Sequence, residues 1–307
     1  MYDSKGESEM RTIALLPEGT VSHEAVLYLF GDEEVRLKHY KQISDVFLSV
    51  VNGEADYSVI PVENTIEGSV SLHMDWLVHE VDVPMQLEWV YPSIQNLIGR
   101  KNEFESEGQV DYSRIKRVLS HPVAMAQCQQ FIRTHLPQAE LENVGSTAEA
   151  IQSVASHAGE GWTAIGTVLG AERYGLDPLA RKITDHNNNF TRFVLIGPEK
   201  IELAGRKATR KTSILVTLPA DFPGALHQVL SAFAWRKLNL SRIESRPTKK
   251  KLGNYYFYMD VLEEVESILL GAAVAEIEAL GCQVRVLGSY PSYTYTDLQP
   301  ELKSEGD

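Results

Sequence analysis

The stretch Thr12-Ile13-Ala14-Leu15-Leu16-Pro17-Glu18-Gly19-Thr20-Val21-Ser22-His23-Glu24-Ala25 decides the fold. Its first five residues form an apolar run short enough for a buried strand. Pro17 and Gly19 then turn the chain into a segment that Thr20 or Ser22 can cap as a helix. The order repeats at once: Val35 to His39 has strand character, Ile43 to Val51 a helical pattern, and Tyr57-Ser58-Val59-Ile60 is another strand. Alternation at this spacing predicts a mostly parallel α/β sheet, in which ligands sit beyond the carboxyl ends of the strands. The N–H groups of the helix that follows Thr20 can hold an anion, although most helix starts hold only water and their cap.

Working outward, the loop in that ligand position is Pro61-Val62-Glu63-Asn64-Thr65-Ile66-Glu67-Gly68, with two carboxylates, an amide and a hydroxyl after a buried strand. Two β-rich runs follow, Met85 to Val90 and Ser93 to Ile98, and Lys101 to Tyr112 reads as a polar surface loop. Ile115 to Leu119 leads into Ser120-His121-Pro122, where Pro122 suits the first helical position and Ser120 or His121 its cap. A strand around Ala139 to Asn143 leads to Gly145-Ser146-Thr147-Ala148-Glu149-Ala150, with Ser146 and Glu149 at capping-box spacing. Ala164-Ile165-Gly166-Thr167 repeats the scheme. One hydroxyl-bearing junction is commonplace, whereas four in series favour a donor-rich cleft.

The segment Asp185-His186-Asn187-Asn188-Asn189-Phe190-Thr191-Arg192-Phe193-Val194-Leu195-Ile196-Gly197 carries an amide-rich loop straight into a strand. Thr191 offers a hydroxyl, Arg192 a permanently charged fork for a carboxylate, and Phe193 an anchor in the core. Taken alone, the three residues equally well begin an ordinary strand.

Composition narrows the classes. At 307 residues and 43% hydrophobic content the chain can fill roughly two domain cores. A formal charge of -13 speaks against a nucleic-acid surface, and the short basic runs Arg206 to Lys211 and Lys249 to Lys251 read as solvated loops. An anionic ligand must therefore be captured by local donors against the overall field. Cys128 and Cys282 lie far apart without metal-ligand spacing and are expected as reduced, buried thiols. The nine histidines form no cluster with carboxylates, so no metal and no cofactor is expected. No run approaches a membrane span and the start Met1 to Glu7 lacks an apolar signal core, which predicts a cytoplasmic protein.

From Lys200 to Lys211 the composition turns polar and basic, as a linker would. Beyond it come strand (Ser213 to Pro219), helix (Gly224 to Lys237), strand (Leu240 to Arg246), strand (Tyr255 to Leu262), helix (Ser267 to Leu280) and strand (Gln283 to Tyr290). That order, βαββαβ, is ferredoxin-like. The acidic tail after Thr296 reads as loose, like the polar lead of residues 1 to 10.

Pro17-Glu18-Gly19-Thr20, Pro61-Val62-Glu63-Asn64-Thr65, Ser120-His121-Pro122, Ser146-Thr147-Ala148-Glu149-Ala150, Tyr174-Gly175-Leu176 and Thr191-Arg192-Phe193 stand in the order of one known family. From about Thr12 to Tyr290 the chain resembles prephenate dehydratase with a C-terminal ACT regulatory domain. The resemblance implies an α/β catalytic region over 11–199, built of two lobes with a cleft between them as in periplasmic binding proteins. A linker at 200–211, the ACT domain at 212–291 and a mobile tail at 292–307 complete the expected organisation. It implies conversion of prephenate to phenylpyruvate with Thr191 as the catalytic residue, and no fused chorismate mutase segment, because the first motif already starts at Pro17. Arg192, Phe193, Glu63, Asn64, Thr65, Ser22, Ser120, His121, Thr147 and Thr167 are the expected substrate-binding residues. Gly224-Ala225-Leu226 and Glu244-Ser245-Arg246-Pro247 match the pair of motifs by which such ACT domains bind L-phenylalanine as feedback inhibitor, with Asn239 and Leu240 expected across an interface between ACT domains and domain coupling as the other role open to Glu244 to Pro247. A homodimer or homotetramer is implied. Two departures bear on pocket shape: Gly166-Thr167 stands where Ala-Ser is usual, and Phe190 where a smaller residue is common. Rival readings are an arogenate dehydratase and a non-catalytic amino-acid sensor.

Overall fold

The computed structural model describes residues 10–31, 35–106, 108–201, 203, 206–249 and 255–296. Most of the polar lead, the run from Lys250 and the tail after Thr296 lie outside them. The chain packs as two compact units: one contains the chain up to Val81 together with Val90–Phe193, the other Asp82–Trp89 and the chain from Val194 onward.

The first unit begins with β1 (Arg11–Leu15), α1 (Val21–Phe30), β2 (Val35–His39), α2 (Ile43–Val51) and β3 (Tyr57–Asn64). Leu15, Ala14 and Ile13 are fully buried in β1, as are Val59 and Ile60 in β3, so the apolar runs are the sheet core. β1 pairs parallel with β2 and β3 on its two sides. The strand expected to end at Ile60 continues four residues further. Asn64 closes it with a side-chain turn, its Oδ1 accepting from the N–H groups of Ile66 (2.9 Å) and Glu67 (3.1 Å), before the short return strand β4 (Gly68–Ser69). A short helix α3 (Ser71–Asp75) and a π-turn over Trp76–Glu80 follow.

β5 (Met85–Pro92) and β6 (Asn96–Gly99) carry the chain into a second sheet. There α4 (Lys101–Phe104), the hairpin β7 (Glu105–Ser106) and β8 (Gln109–Val110), β9 (Arg117–Ser120), α5 (Pro122–Ala126), α6 (Gln129–His135), β10 (Glu140–Asn143), α7 (Thr147–Ser156), β11 (Trp162–Gly166), α8 (Val168–Arg173) and β12 (Asp177–Ala180) follow. The strand order is β10-β9-β11-β6-β12, with β9 parallel to both neighbours and β6 antiparallel to β11 and β12. The expected parallel arrangement therefore holds for the helix-linked strands and not for β6, which follows β5 with no crossover helix. Lys101 to Tyr112, expected as a polar surface loop, instead docks through Phe104 among Leu97, Ile115, Val118 and Cys128. One buried aromatic outweighs the polar residues around it. The unit returns to its first sheet through β13 (Phe190–Ile196), which lies beside β3.

In the second unit β14 (Thr209–Thr217), α9 (Ala225–Ala234), β15 (Leu240–Pro247), β16 (Tyr255–Val261), α10 (Ile268–Ala279) and β17 (Gln283–Tyr293) give the βαββαβ order. The sheet runs β15-β16-β14-β17-β5, and the two helices share a core of Val229, Phe233, Leu270 and Ile277 with Ile214 and Met259. Its fifth strand comes from far upstream: β5 pairs parallel with β17, placing Glu88 beside Ser292. Gly288 lets them approach, since a Cβ there would sit 2.3 Å from the Met85 carbonyl oxygen. Ile201 and Leu203, inside the segment expected as a polar linker, are buried.

A charged cluster crosses this sheet. Glu88, 1% exposed, accepts from Lys211 Nζ at 2.5 Å and Ser292 Oγ at 2.8 Å. Ser213 Oγ donates to Asp260 at 2.5 Å and lies 2.5 Å from the Tyr290 hydroxyl, while Tyr258 donates to Ser213 at 3.0 Å.

Candidate active site

The end of β3, the segment after β5 and the start of β13 meet around Thr191. Asn64 organises them. Because its Oδ1 is held by two backbone N–H groups, its Nδ2 must face the other way, where it donates to Asn189 Oδ1 (2.8 Å) and to Thr191 Oγ1 (3.0 Å). Asn189 is thereby oriented in turn, its Nδ2 donating to the Ser93 carbonyl (3.0 Å) and to Gln127 Oε1 (2.9 Å). Ser93 Oγ stands 2.6 Å from Thr191 Oγ1, and the Ser93 N–H donates to the Asn189 carbonyl at 2.9 Å. All five residues are buried and uncharged. In such a setting neighbours rather than solvent fix where a hydroxyl proton points.

Thr65 supports the loop: its hydroxyl donates to the Asn188 carbonyl (2.6 Å) and accepts from the Phe190 N–H (2.9 Å). Arg192, beside Thr191 on β13, is buried and pairs with the half-buried Glu63 carboxylate at 3.1 Å. Phe193 is 1% exposed, an anchor of the strand. Asp185 ties the loop to the second lobe, its N–H donating to the Gln127 carbonyl (2.8 Å) and its carboxylate accepting from the Gln130 N–H (3.0 Å).

The second lobe contributes Gln127 and, at the cap of α5, His121. The His121 Nδ1 accepts from the Val123 N–H at 3.3 Å, which leaves Nε2 carrying the ring proton. Burial lowers its pKa below the usual histidine value, so at neutral pH the ring is uncharged. Ser120, fully buried, donates to the Ile165 carbonyl at 2.8 Å and thus links β9 to β11. Thr167 caps α8 by accepting from Gly170 N–H (3.0 Å) and donates to the Gly19 carbonyl (2.7 Å), joining the two lobes. Gly19 has φ +79°, and a Cβ on it would lie 2.9 Å from Gly170 Cα, so only glycine serves at this junction. Beside it Arg173 pairs with Glu18 at 2.5 Å. Ser22 and Thr147 are buried in the first turns of α1 and α7. His23, accepting from the Gly19 N–H, has its pKa lowered to about 4 by burial and by His39. Glu24 of α1 accepts from the Leu169 N–H of α8, and burial raises its pKa to about 7.

Both cysteines are free and buried, and burial beside Asp185 pushes the Cys128 thiol up to about 12. Among the described residues no group of three or more His, Cys, Asp or Glu side chains could hold a metal, and no helix is long and apolar enough to cross a membrane.

In the second unit Gly224 caps α9 at φ +93°, Ala225 is buried and Leu226 packs against the core. The Asn239 carbonyl accepts from the Leu262 N–H where β15 starts at Leu240. Along this edge strand Glu244 accepts from Arg242 (2.5 Å) and Arg246 (3.3 Å), Ser245 faces outward, and Pro247 ends the strand opposite Tyr255.

Ser93, Asn189 and Gln127 are the site residues that sequence reasoning missed. Asn189 stands two residues before Thr191, a spacing that puts both on one face of an extended chain, so the strand period could have found it. Ser93 and Gln127 carry no such signal.

The chain thus combines a two-lobed α/β unit with a ferredoxin-like βαββαβ module. Residues 13–201 match the prephenate dehydratase family model and residues 212–282 the ACT domain. The chain is 39% identical over 291 residues to a prephenate dehydratase of Bacillus subtilis, covering 92% of this chain and 99% of the relative. It is also 39% identical over 288 residues to one of Methanocaldococcus jannaschii, covering 92% and 98%. A crystal structure of an Arthrobacter aurescens prephenate dehydratase in complex with L-Phe superposes with a TM-score of 0.79 at 32% identity, over 95% of this chain and 92% of that one. The chain belongs to the prephenate dehydratase family and ends in an ACT domain.

Proposed function

We propose that the chain converts prephenate to phenylpyruvate at the buried hydroxyl–amide cluster, with Thr191 as the catalytic residue. The observation that carries this reading is Thr191 held at 3.0 Å by Asn64 and at 2.6 Å by Ser93, in a setting without charge. Electrons of the breaking C–C bond aromatise the ring and expel the ring hydroxyl, one carboxylate leaving as carbon dioxide. The expelled hydroxide takes up a proton to become water. Aromatisation supplies the driving force, so the protein's task is to hold a dianion and place a donor at the departing oxygen.

Thr191 is that donor. Arg192, its charge matched by Glu63 at 3.1 Å, braces the strand that carries Thr191. The uncharged His121, with its Nε2 proton, and the hydroxyls of Ser22 and Thr147 are donors suited to the retained carboxylate. Thr65, Ser120 and Thr167 support the site through the backbone bonds they already make. The carboxylate that leaves gains nothing from a strong cation, which would stabilise it before loss of charge.

The assay that tests this compares prephenate with arogenate, parent with Thr191→Ala. Phenylpyruvate formation by the parent, lost in a folded Thr191→Ala protein, is the expected result, and near-parental turnover in the variant refutes the assignment. Preference for arogenate would make the chain an arogenate dehydratase, and turnover of neither would make it a sensor.

The ACT domain binds L-phenylalanine in this reading, through Gly224-Ala225-Leu226 and the Glu244 to Pro247 segment, with Asn239 and Leu240 from across the interface with a second ACT domain, so the working form is a homodimer or homotetramer in the cytoplasm. The support is the relative crystallised with L-Phe. Calorimetry with L-phenylalanine on the full chain checks it: saturable heat and loss of turnover are expected, and no heat refutes it.

A further inference from the structure

We propose that Ser93 is a positioning residue for the dehydration: it donates to Thr191 and so leaves the Thr191 proton free for the substrate. The inference rests on the Thr191 reading above and deepens it.

A hydroxyl has one proton and two lone pairs. At Thr191 the first lone pair is already assigned, because the Asn64 amide cannot turn over without losing the Ile66 and Glu67 N–H bonds to its Oδ1. What remains on Thr191 is one lone pair and the proton, and the neighbour that meets them is Ser93 Oγ at 2.6 Å. If Thr191 donated to Ser93, its proton would be consumed inside the protein and Thr191 would face the substrate with a lone pair. The opposite direction fills both lone pairs and leaves the O–H as the only hydrogen-bonding capacity of Thr191. Two donors into one oxygen also polarise its own O–H bond, making it a better donor.

Ser93 is held for this purpose from both sides of its backbone. Its N–H donates to the Asn189 carbonyl at 2.9 Å and its carbonyl accepts from Asn189 Nδ2 at 3.0 Å. The Asn189 amide is itself locked by Asn64 and Gln127. The main chain of Ser93 therefore cannot drift from Thr191 without breaking the amide relay that orients Asn64's partner. Ser93 moves no proton to substrate; it sets the direction of the one that Thr191 presents.

The test measures prephenate turnover by the full chain for Ser93→Ala and Ser93→Cys, with Thr191→Ala as reference. Cysteine keeps the shape of serine but is a weak donor, so a packing role and a hydrogen-bonding role separate. The expected result is a fall in kcat of about tenfold in both Ser93 variants. KM should stay within about twofold, because the lost bond acts on the departing oxygen rather than on binding. Parental kcat in Ser93→Cys overturns the proposal, since volume alone then suffices, and so does parental kcat in Ser93→Ala or a change confined to KM. Near-parental turnover in Thr191→Ala overturns the Thr191 reading and this inference together. Loss in Thr191→Ala beside parental Ser93 variants overturns this inference alone.

Discussion

Each unit buries a polar cluster, and the two are built on opposite terms. Around Thr191 the partners are amides and hydroxyls without formal charge, and the amides of Asn64 and Asn189 are each oriented by a bond to the backbone. Around Glu88 the partners are a carboxylate and an ammonium, tied off by serine and tyrosine hydroxyls. A neutral cluster loses little on desolvation and can leave a donor for a ligand. A buried ion pair must satisfy itself, because an unmatched charge there costs several kcal/mol. The comparison therefore separates a neutral cluster, the proposed catalytic one, from a charged cluster that fastens a strand, β5, onto the ACT sheet.

Breaking the two clusters should give different readouts. Thr191→Ala should lower kcat by about 10²- to 10⁴-fold with little change in melting temperature, as expected for loss of a placed donor. Glu88→Ala strands the Lys211 ammonium and should cost about 3–5 kcal/mol of stability, read by denaturant unfolding. Replacing Glu88 and Lys211 together by leucine and methionine should recover most of that cost, and failure to recover would mean the pair does more than fasten β5.

The junction between the lobes of the first unit gives a smaller, pH-dependent effect. Burial raises the Glu24 pKa from 4.5 to about 7. The folded state thus holds this proton more tightly than the unfolded chain, so its stabilising contribution is complete below about pH 4.5 and is lost as pH rises through about 7. Glu24→Gln should flatten the melting temperature over that window, and an unchanged pH profile would count against the shift. At the small end stands the surface pair Arg117–Glu142, 2.9 Å apart with the glutamate side chain 42% exposed. Glu142→Gln should change stability by less than about 1 kcal/mol, setting the baseline for an ion pair in water against the buried one at Glu88.

Much of this was legible in the residues. The apolar run at Thr12 and its repeats fix the strand–helix alternation because burial on both faces demands continuous hydrophobic strands. The spacing of Ser146 and Glu149 gives the start of α7, where Ser146 Oγ accepts from the Glu149 N–H at 3.0 Å, since a cap is a local interaction. Thr191 and Asn64 were named from motifs more than a hundred residues apart. Other features escaped because they are set by distant partners: Phe104 inside a polar stretch, the end of β3 at Asn64, and Ser93, an ordinary serine until β13 brings Thr191 to it.

The sequence by itself determined the strand–helix alternation and the βαββαβ module, because periodicity, capping and turn chemistry act over a few residues, while the division into two lobes was implied by the family resemblance. Only the tertiary structure decided that the Asn64 amide meets Asn189 and Thr191, that β5 completes the ACT sheet, and that Ser93 meets Thr191. Those facts depend on contacts between segments about a hundred residues or more apart, where a single hydrogen bond to the backbone orients an amide and through it a hydroxyl.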